Sequence, residues 1–550
     1  MEKYLKKRRV LSIMKKRVLS ILLLAVLLFS LCVGCGEKSR ITENKISYKY
    51  EQELNVIDDN YRNYYEIFVG SFYDSDGNGM GDLQGVIEKL DYIEYMGFNG
   101  IWMMPIMQSP SYHKYDVSDY MSIDYQYGTI DDFKALVEAC HEKNINVVID
   151  MVINHSSTNH KWFTKACQYL KGLSAGEEPN LTECPYVDYY HFEQERLNDT
   201  YYSVNGSNGW YYEGSFSSGM PDLNLQNEAL RAELEAIADF WLELGVDGFR
   251  MDAAMHFTEN APTTNNEVLN WLYNYCKEQN PDFYMVSEVW AGMTSVAEYY
   301  GSKTPSMFNF DCASAEGILA KAARGTFPAE ILVDRMITYQ KDFAAQNPEY
   351  IDAPFLSNHD QVRISNSLNN NEEHLKMAAG MLLMMNGSPF VYYGEEIGMA
   401  SKGTKDENKR ISMLWSATDT TGATRGPSDA DKGITSAFEA VDEQLKDGHS
   451  LLNYYRRALR LRNENPEIAR GEIAKIDSLC EGNIAVITKT WEGSTVAVIY
   501  NNGDTELTVD INGSEIDGMG IRGYLTLKGE EVTIKDGVVT MPRKSIGILK

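Results

Sequence analysis

The sequence has 550 residues, 43% hydrophobic and 24% charged, with a formal net charge of −28. That length predicts more than one domain, one of which has room to be a large barrel. The acidity disfavours nucleic acid and anionic lipid headgroups as partners, whereas a neutral ligand is not repelled. The 35 tyrosines suit a surface that stacks on flat ligand faces, although tyrosine is also a common strand residue.

The chain opens on a targeting segment. KKRVLSILLLAVLLFSLCVGC has a basic start, an apolar run of about 16 residues and then small residues, which marks 1–34 as an export signal. The run is short for a membrane span. KRRVLSI (7–13) returns nearly unchanged as KKRVLSI (15–21), so Met14 competes with Met1 as the start. The ending CVGC resembles a bacterial lipoprotein cleavage site with Cys35 as the lipidated residue, although Cys32 stands where that pattern usually has leucine. The expectation is an extracellular protein tethered to the membrane by 35–50, with free secretion as the alternative.

DSDGNGMGD (74–82) sets oxygen ligands at alternate positions: Asp74, Asp76, Asn78, the Met80 carbonyl and Asp82. This is the first part of an EF-hand-like Ca²⁺ loop, with Gly79 at the tight turn. Gly85 holds the twelfth position in place of Glu, so the loop is not a full EF-hand. A plain Gly-rich turn is the alternative.

Candidate strands then alternate with helical apolar spacing at 65–72, 99–105, 145–155, 245–253, 283–290, 306–311, 352–360 and 388–394. Eight strands, each followed by a helix or turn, match a (β/α)₈ barrel. The first part of the barrel is assigned to 51–155. The long gap before the fourth strand holds CPYVDYYHF, TYYSVNG and NGWYYEG, and 156–222 is read as a small β-rich insertion. Its aromatics suit either sugar platforms or the insertion's own core. The Met-rich run 378–394 reads as barrel core. The barrel resumes over 223–470 and ends in the helical pattern SLLNYYRRALRLRNENPE. Short strands with turn signals follow over 471–550, an antiparallel β domain of sandwich type. Six cysteines lie beyond Cys35, and none has metal spacing; they are expected as buried thiols, with Cys167 and Cys184 as the pair that could bridge.

The strand ends carry the chemistry. In GFRMDAAMH, Arg250 and Asp252 alternate with Phe249 and Met251, so both polar side chains face one way. If 245–253 is a barrel strand, they sit inside at its C-terminal mouth, where barrel enzymes keep their sites. Arg250 would keep Asp252 ionised, and an ionised, oriented carboxylate is a nucleophile. A structural Arg–Asp pair is the alternative at this point. MVSEVW puts Glu288 just past an apolar strand, His359 and Asp360 end FLSNHD, and DMVINH puts Asp150 and Asn154 on one face with His155 at the tip. Three carboxylates at one mouth cannot all ionise easily, so one should be raised and serve as a general acid. Two carboxyls in those roles make a glycoside hydrolase.

DMVINH, MPDLN (220–224), GFRMDAAMH, SEVW and FLSNHD together resemble the ordered motif set of glycoside hydrolase family thirteen, the α-amylase family, over about residues 60–550. The resemblance implies Asp252 as the nucleophile, Glu288 as acid and base, and Asp360 as a transition-state stabiliser, with net retention and carboxyls about 5–5.5 Å apart. It implies that Arg250 orients Asp252 and that His155 and His359 bond sugar hydroxyls. SYHKYDVSDY (111–120) resembles the segment in which His113 would bond the sugar and Tyr115 would stack on it, with Lys114 where the family often has Gly; Asp116 would hold the loop or narrow the pocket. His256 would lie towards the leaving group, although Met255 stands where Lys is common. A structural Ca²⁺ in the first β–α loop is also implied.

The expected function is a retaining hydrolase cleaving internal α-1,4 bonds of starch and maltodextrin, acting as a monomer. The alternatives are neopullulanase- or cyclomaltodextrinase-like action, α-1,6-glucosidase action, a glucanotransferase with the same residues, and a non-enzymatic glucan-binding protein.

Overall fold

The computed structural model describes residues 57–259, 261–434 and 436–550. The export signal, Cys35 with its lipidation, the 35–50 tether and the choice of start lie outside the described residues.

Eight parallel strands form one sheet: β1 Tyr64–Ile67, β2 Gly100–Met103, β3 Asn146–Met151, β4 Gly248–Met251, β5 Tyr284–Ser287, β6 Ser306–Asn309, β7 Ala353–Pro354 and β8 Phe390–Tyr392. They pair in sequence from β1 to β7; β8 pairs with β1, and a parallel bridge from Phe355 to Phe390 joins the two ends. The sheet is a closed (β/α)₈ barrel. Both of its faces are covered, which is why its strands read as apolar runs without alternation. The strands are shorter than their apolar runs. The expected 65–72 strand stops at Ile67, and Val69–Phe72 is a helical turn.

The barrel is filled from below by rings. Tyr64 stacks between Tyr284 and Phe390, with centroids 5.2 and 4.6 Å away, while Trp102 packs on Phe308 at 5.3 Å. Gly100 admits the Tyr64 ring, since a Cβ there would lie 2.5 Å from it. Above this floor the inward positions turn polar. Glu66 is in register with Trp102, and Asp150 with Arg250. One layer of the barrel interior therefore carries charge, at the C-terminal ends of its strands.

Between β3 and β4 the chain leaves the barrel. It forms the helix Lys161–Gly172 and then a three-stranded antiparallel sheet of Phe192–Glu193, Tyr211–Glu213 and Tyr201–Ser203. Tyr189, Tyr190, Trp210 and Tyr212 are buried there, and Phe163 of the helix meets Tyr190 and Tyr212 edge-on. These aromatics form the insertion's core. Cys167 and Cys184 are free thiols, so the bridge considered from sequence is not formed.

From Glu472 onward, a five-stranded and a three-stranded antiparallel sheet enclose Val486, Ile499, Ile511, Val539 and Met541. This part is anchored to the barrel by Lys489, which is fully buried. Its ammonium donates to Met384 O at 2.7 Å, Asn386 Oδ1 at 2.6 Å and Ile468 O at 2.8 Å. Lys489→Met would strand three buried acceptors and is expected to cost about 2–4 kcal/mol in chemical denaturation. An unchanged midpoint would mean that the anchor contributes nothing.

Candidate active site

Arg250 is 1% exposed and stands at the centre of the polar layer. Its Nη1 donates to Asp150 Oδ1 at 2.5 Å and Asp252 Oδ1 at 2.6 Å, and its Nη2 lies 3.2 Å from Glu288 Oε1. Asp252 and Glu288 thus share one guanidinium. The chain turns sharply after Asp252. Ala253 has φ +51°, a left-handed backbone that alanine seldom adopts, and its amide donates to Glu288 Oε2 at 3.0 Å. Burial raises Glu288 above the ordinary glutamate range; Arg250 opposes this, and the charges of Asp252 and Asp360 add to it. Burial also lifts Asp150 to about 7, against the pull of Arg250. Asp150 receives the Trp102 indole N–H at 3.0 Å, so it is tied to the barrel wall.

Asp360 forms the other side of the pocket. Burial works against its charge, but His359 and Arg410 outweigh burial and hold the carboxyl well below the usual range. Arg410 Nη2 donates to Asp360 Oδ1 at 2.6 Å, and Lys409 Nζ donates to its carbonyl at 2.7 Å. Burial likewise disfavours a charged His359, yet Asp360 and Glu66 raise it to about 9. His359 Nδ1 lies 2.5 Å from Glu66 Oε1; its Nε2 lies 3.0 Å from Asp360 Oδ2 and 2.6 Å from the Tyr115 hydroxyl. Both ring nitrogens of His359 are engaged within the protein, and Nε2 is the one next to Asp360.

The loop after β2 brings His113 and Tyr115 to the same wall, and Tyr115 stacks on His359 with centroids 5.6 Å apart. His113 Nδ1 accepts from the Tyr115 amide at 3.1 Å, which leaves the proton on Nε2. Asp116 holds the loop by accepting from Ser109 and Ser111. Lys114 has φ +66°, a backbone that glycine adopts without cost, and its ammonium turns to Asp124 at 3.0 Å. His155 is buried with an unpartnered Nε2, a donor with no acceptor of its own. Burial lowers both His113 and His155, so both rings are neutral. His256 stands outside this cluster, half-exposed and 2.5 Å from Glu259 Oε1. The Phe216 ring fills the space between, 5.3 Å from His155 and 5.1 Å from His256.

In the loop 74–82, the carboxylates of Asp74, Asp76 and Asp82 offer oxygens within 4.8 Å of one another. Asp74 accepts from the amides of Gly77 and Gly79, at 2.8 and 2.5 Å, which curls the loop around it. Asn78 Oδ1 accepts from the Met80 amide at 2.7 Å, so these two predicted ligands sit in the same turn. None of the three aspartates is ion-paired among the described residues, and an all-oxygen set of this kind fits a hard divalent cation.

Glu66 and Arg410 join the site without having been predicted from the sequence. Glu66 had a signal: it is the lone charge inside an apolar strand. Arg410 comes from a loop without periodicity. Trp290, just past Glu288, is 51% exposed and stacks on Phe310 at 5.0 Å.

The family model described as "Alpha amylase, catalytic domain" matches residues 66–471. "Alpha-amylase 3" of Dictyoglomus thermophilum is 35% identical over 485 residues, spanning 85% of this chain and 90% of that protein. Among solved structures, Eubacterium rectale Amy13B superposes with a TM-score of 0.87 at 43% identity, over 90% of this chain and 97% of the other. An α-amylase from H. orenii gives 0.77 at 35% identity, over 89% and 99%.

Glu66→Gln removes one of the two charges that keep His359 protonated. His359 is charged below its raised pKa of about 9, so the variant should lose that charge earlier as pH rises. Its kcat/KM relative to the parent is expected to fall about tenfold between pH 6 and pH 8. A constant ratio across that range would deny Glu66 this role.

Proposed function

The chain belongs to the α-amylase family and is a glycoside hydrolase acting on α-glucans; from that premise we propose that it cleaves internal α-1,4 bonds of starch and maltodextrin by double displacement. The observation that carries this reading is the shared guanidinium. Arg250 binds Asp252 and Glu288 together, and burial with neighbouring carboxylates raises Glu288.

Asp252 attacks the anomeric carbon from one face while Glu288 gives its proton to the departing glycosidic oxygen. The C–O bond to the leaving chain breaks as the Asp252 ester forms. Glu288, now a carboxylate, takes a proton from water. The water oxygen displaces Asp252 with a second inversion, so the anomeric configuration is retained. The Asp360 carboxylate, held ionised by His359 and Arg410, offsets positive charge on the ring at the transition state. His113 and His155 supply neutral N–H donors to the sugar being cleaved. An acid with a raised pKa stays protonated to higher pH, and the rate falls as pH rises through that value.

The loop 74–82 is assigned a structural Ca²⁺ held by Asp74, Asp76 and Asp82, with Asn78 and the Met80 carbonyl in the same turn. Bound there, the ion would cancel the mutual repulsion of the carboxylates. The loop also hydrogen-bonds the segment after β8, through Asp74 N to Gly422 O at 3.0 Å and Arg425 N to Gly79 O at 2.8 Å. Lipidation at Cys35 and anchoring outside the cell belong to the same proposal and rest on the sequence pattern alone.

Glu288→Gln is expected to lower kcat/KM on soluble starch by about three orders of magnitude or more, and far less on maltosyl fluoride, whose leaving group needs no proton. Equal losses on both substrates would remove Glu288 from the acid role. In a product profile on soluble starch, pullulan and cyclodextrin, short maltooligosaccharides from starch support the reading; products longer than the substrate would make the enzyme a transferase. Chelation is expected to lower Tm by about 3–8 °C, with recovery on adding Ca²⁺. An unchanged melt would reject the ion.

A further inference from the structure

The loops after β8, β1 and β2 enclose a groove of about 1400 Å³ beside the catalytic pocket. One pair of side chains separates the two spaces. Arg410 binds Asp360 with Nη2 and donates from Nη1 to the Tyr112 hydroxyl at 3.1 Å, and Tyr112 is part of the groove wall. The volume exceeds the roughly 300–1,000 Å³ typical of sites for a single small ligand. One end of the wall is charged, with Asp76 and Asp82 of the 74–82 loop and Arg425, and the remainder offers Gln108 and Gln126 together with the rings of Tyr112 and Tyr125.

Tyr125 is 77% exposed, and its ring has no aromatic partner among the described residues. A single exposed tyrosine means little by itself. This one is held in place. Asp124, fully buried beside it, accepts from the Gln126 amide at 3.0 Å and pairs with Lys114 at 3.0 Å, while the Tyr127 amide donates to the Asp124 carbonyl at 2.8 Å. The backbone of the turn is thereby fixed, and the Tyr125 ring stands on the groove wall.

The barrel order sets the direction of a bound chain. β8, β1 and β2 lie across the mouth from β4 and β5, which carry Asp252 and Glu288. The leaving chain departs on the side of its proton donor. The groove therefore receives the part of the chain on the other, non-reducing, side of the broken bond. We infer that this groove binds the non-reducing portion of an α-glucan chain, with Tyr125 as a stacking platform, and so sets the preference for longer chains. The inference rests on the reading of the pocket as an α-glucan hydrolase.

The test compares maltoheptaose with the much shorter p-nitrophenyl α-maltoside. Tyr125→Ala should lower the ratio of kcat/KM for maltoheptaose over the short substrate by about five- to tenfold, mostly through KM, and Tyr125→Trp should restore it. Maltoheptaose binding to Glu288→Gln, measured by calorimetry, should weaken by a similar factor when Tyr125→Ala is added, and maltotriose binding should not. An unchanged ratio, or equal loss on both substrates, overturns the inference. If the parent enzyme hydrolyses neither substrate, the assigned function fails, and the calorimetric comparison still decides whether the groove holds glucan.

Discussion

One buried cation organises the site. Arg250 is surrounded by Asp150, Asp252 and Glu288 in a place with almost no access to solvent. Removing the charge from such a centre typically costs about 3–5 kcal/mol, because the carboxyls left behind lose the cation they share. The same arrangement makes the two reacting carboxyls unequal. Asp252 receives Nη1 at 2.6 Å, whereas Glu288 receives Nη2 at 3.2 Å and faces the field of both Asp252 and Asp360. Burial and both neighbouring carboxylates oppose the pull of Arg250 on Glu288, which raises Glu288 as a general acid requires.

The rest of the barrel supports that centre mechanically. The stacked rings of Tyr64, Tyr284 and Phe390 form a rigid floor, and Trp102 joins the floor to the charged layer by bonding Asp150. Asp360 belongs to a second circuit through His359, Glu66 and Arg410, contributed by the segment after β7, by β1 and by the long loop after β8. The two circuits face each other across the pocket, so the sugar is gripped by residues from many strands rather than by one loop. Arg410 also touches the Tyr112 wall, and the catalytic pocket and the neighbouring groove share that partition.

Much of this was legible in the sequence because parallel barrel strands are apolar throughout, and polar residues at their ends stand out. Arg250, Asp252, Glu288 and Asp360 were visible in this way. Glu66 was equally visible but sits near the start of the barrel, where nothing nearby marks a site; only the fold brings it against His359, 293 positions later. Arg410 lies in a loop whose conformation comes from contacts rather than periodicity. The tyrosines of the insertion look alike in sequence whether they bind sugar or fill a core. The helix carrying Phe163 decides for the core. The short strands follow from the same physics: the apolar runs continue into turns that pack on the barrel without joining its ladder.

The claim on which the account depends is that Asp252 becomes covalently bonded to the sugar. Trapping the intermediate with a 5-fluoro maltosyl fluoride and mapping the label by peptide mass tests it directly. The account predicts a single added glycosyl unit on the peptide that contains Asp252. A label on Glu288 or Asp360, or turnover with inversion and no trapped ester, would contradict it.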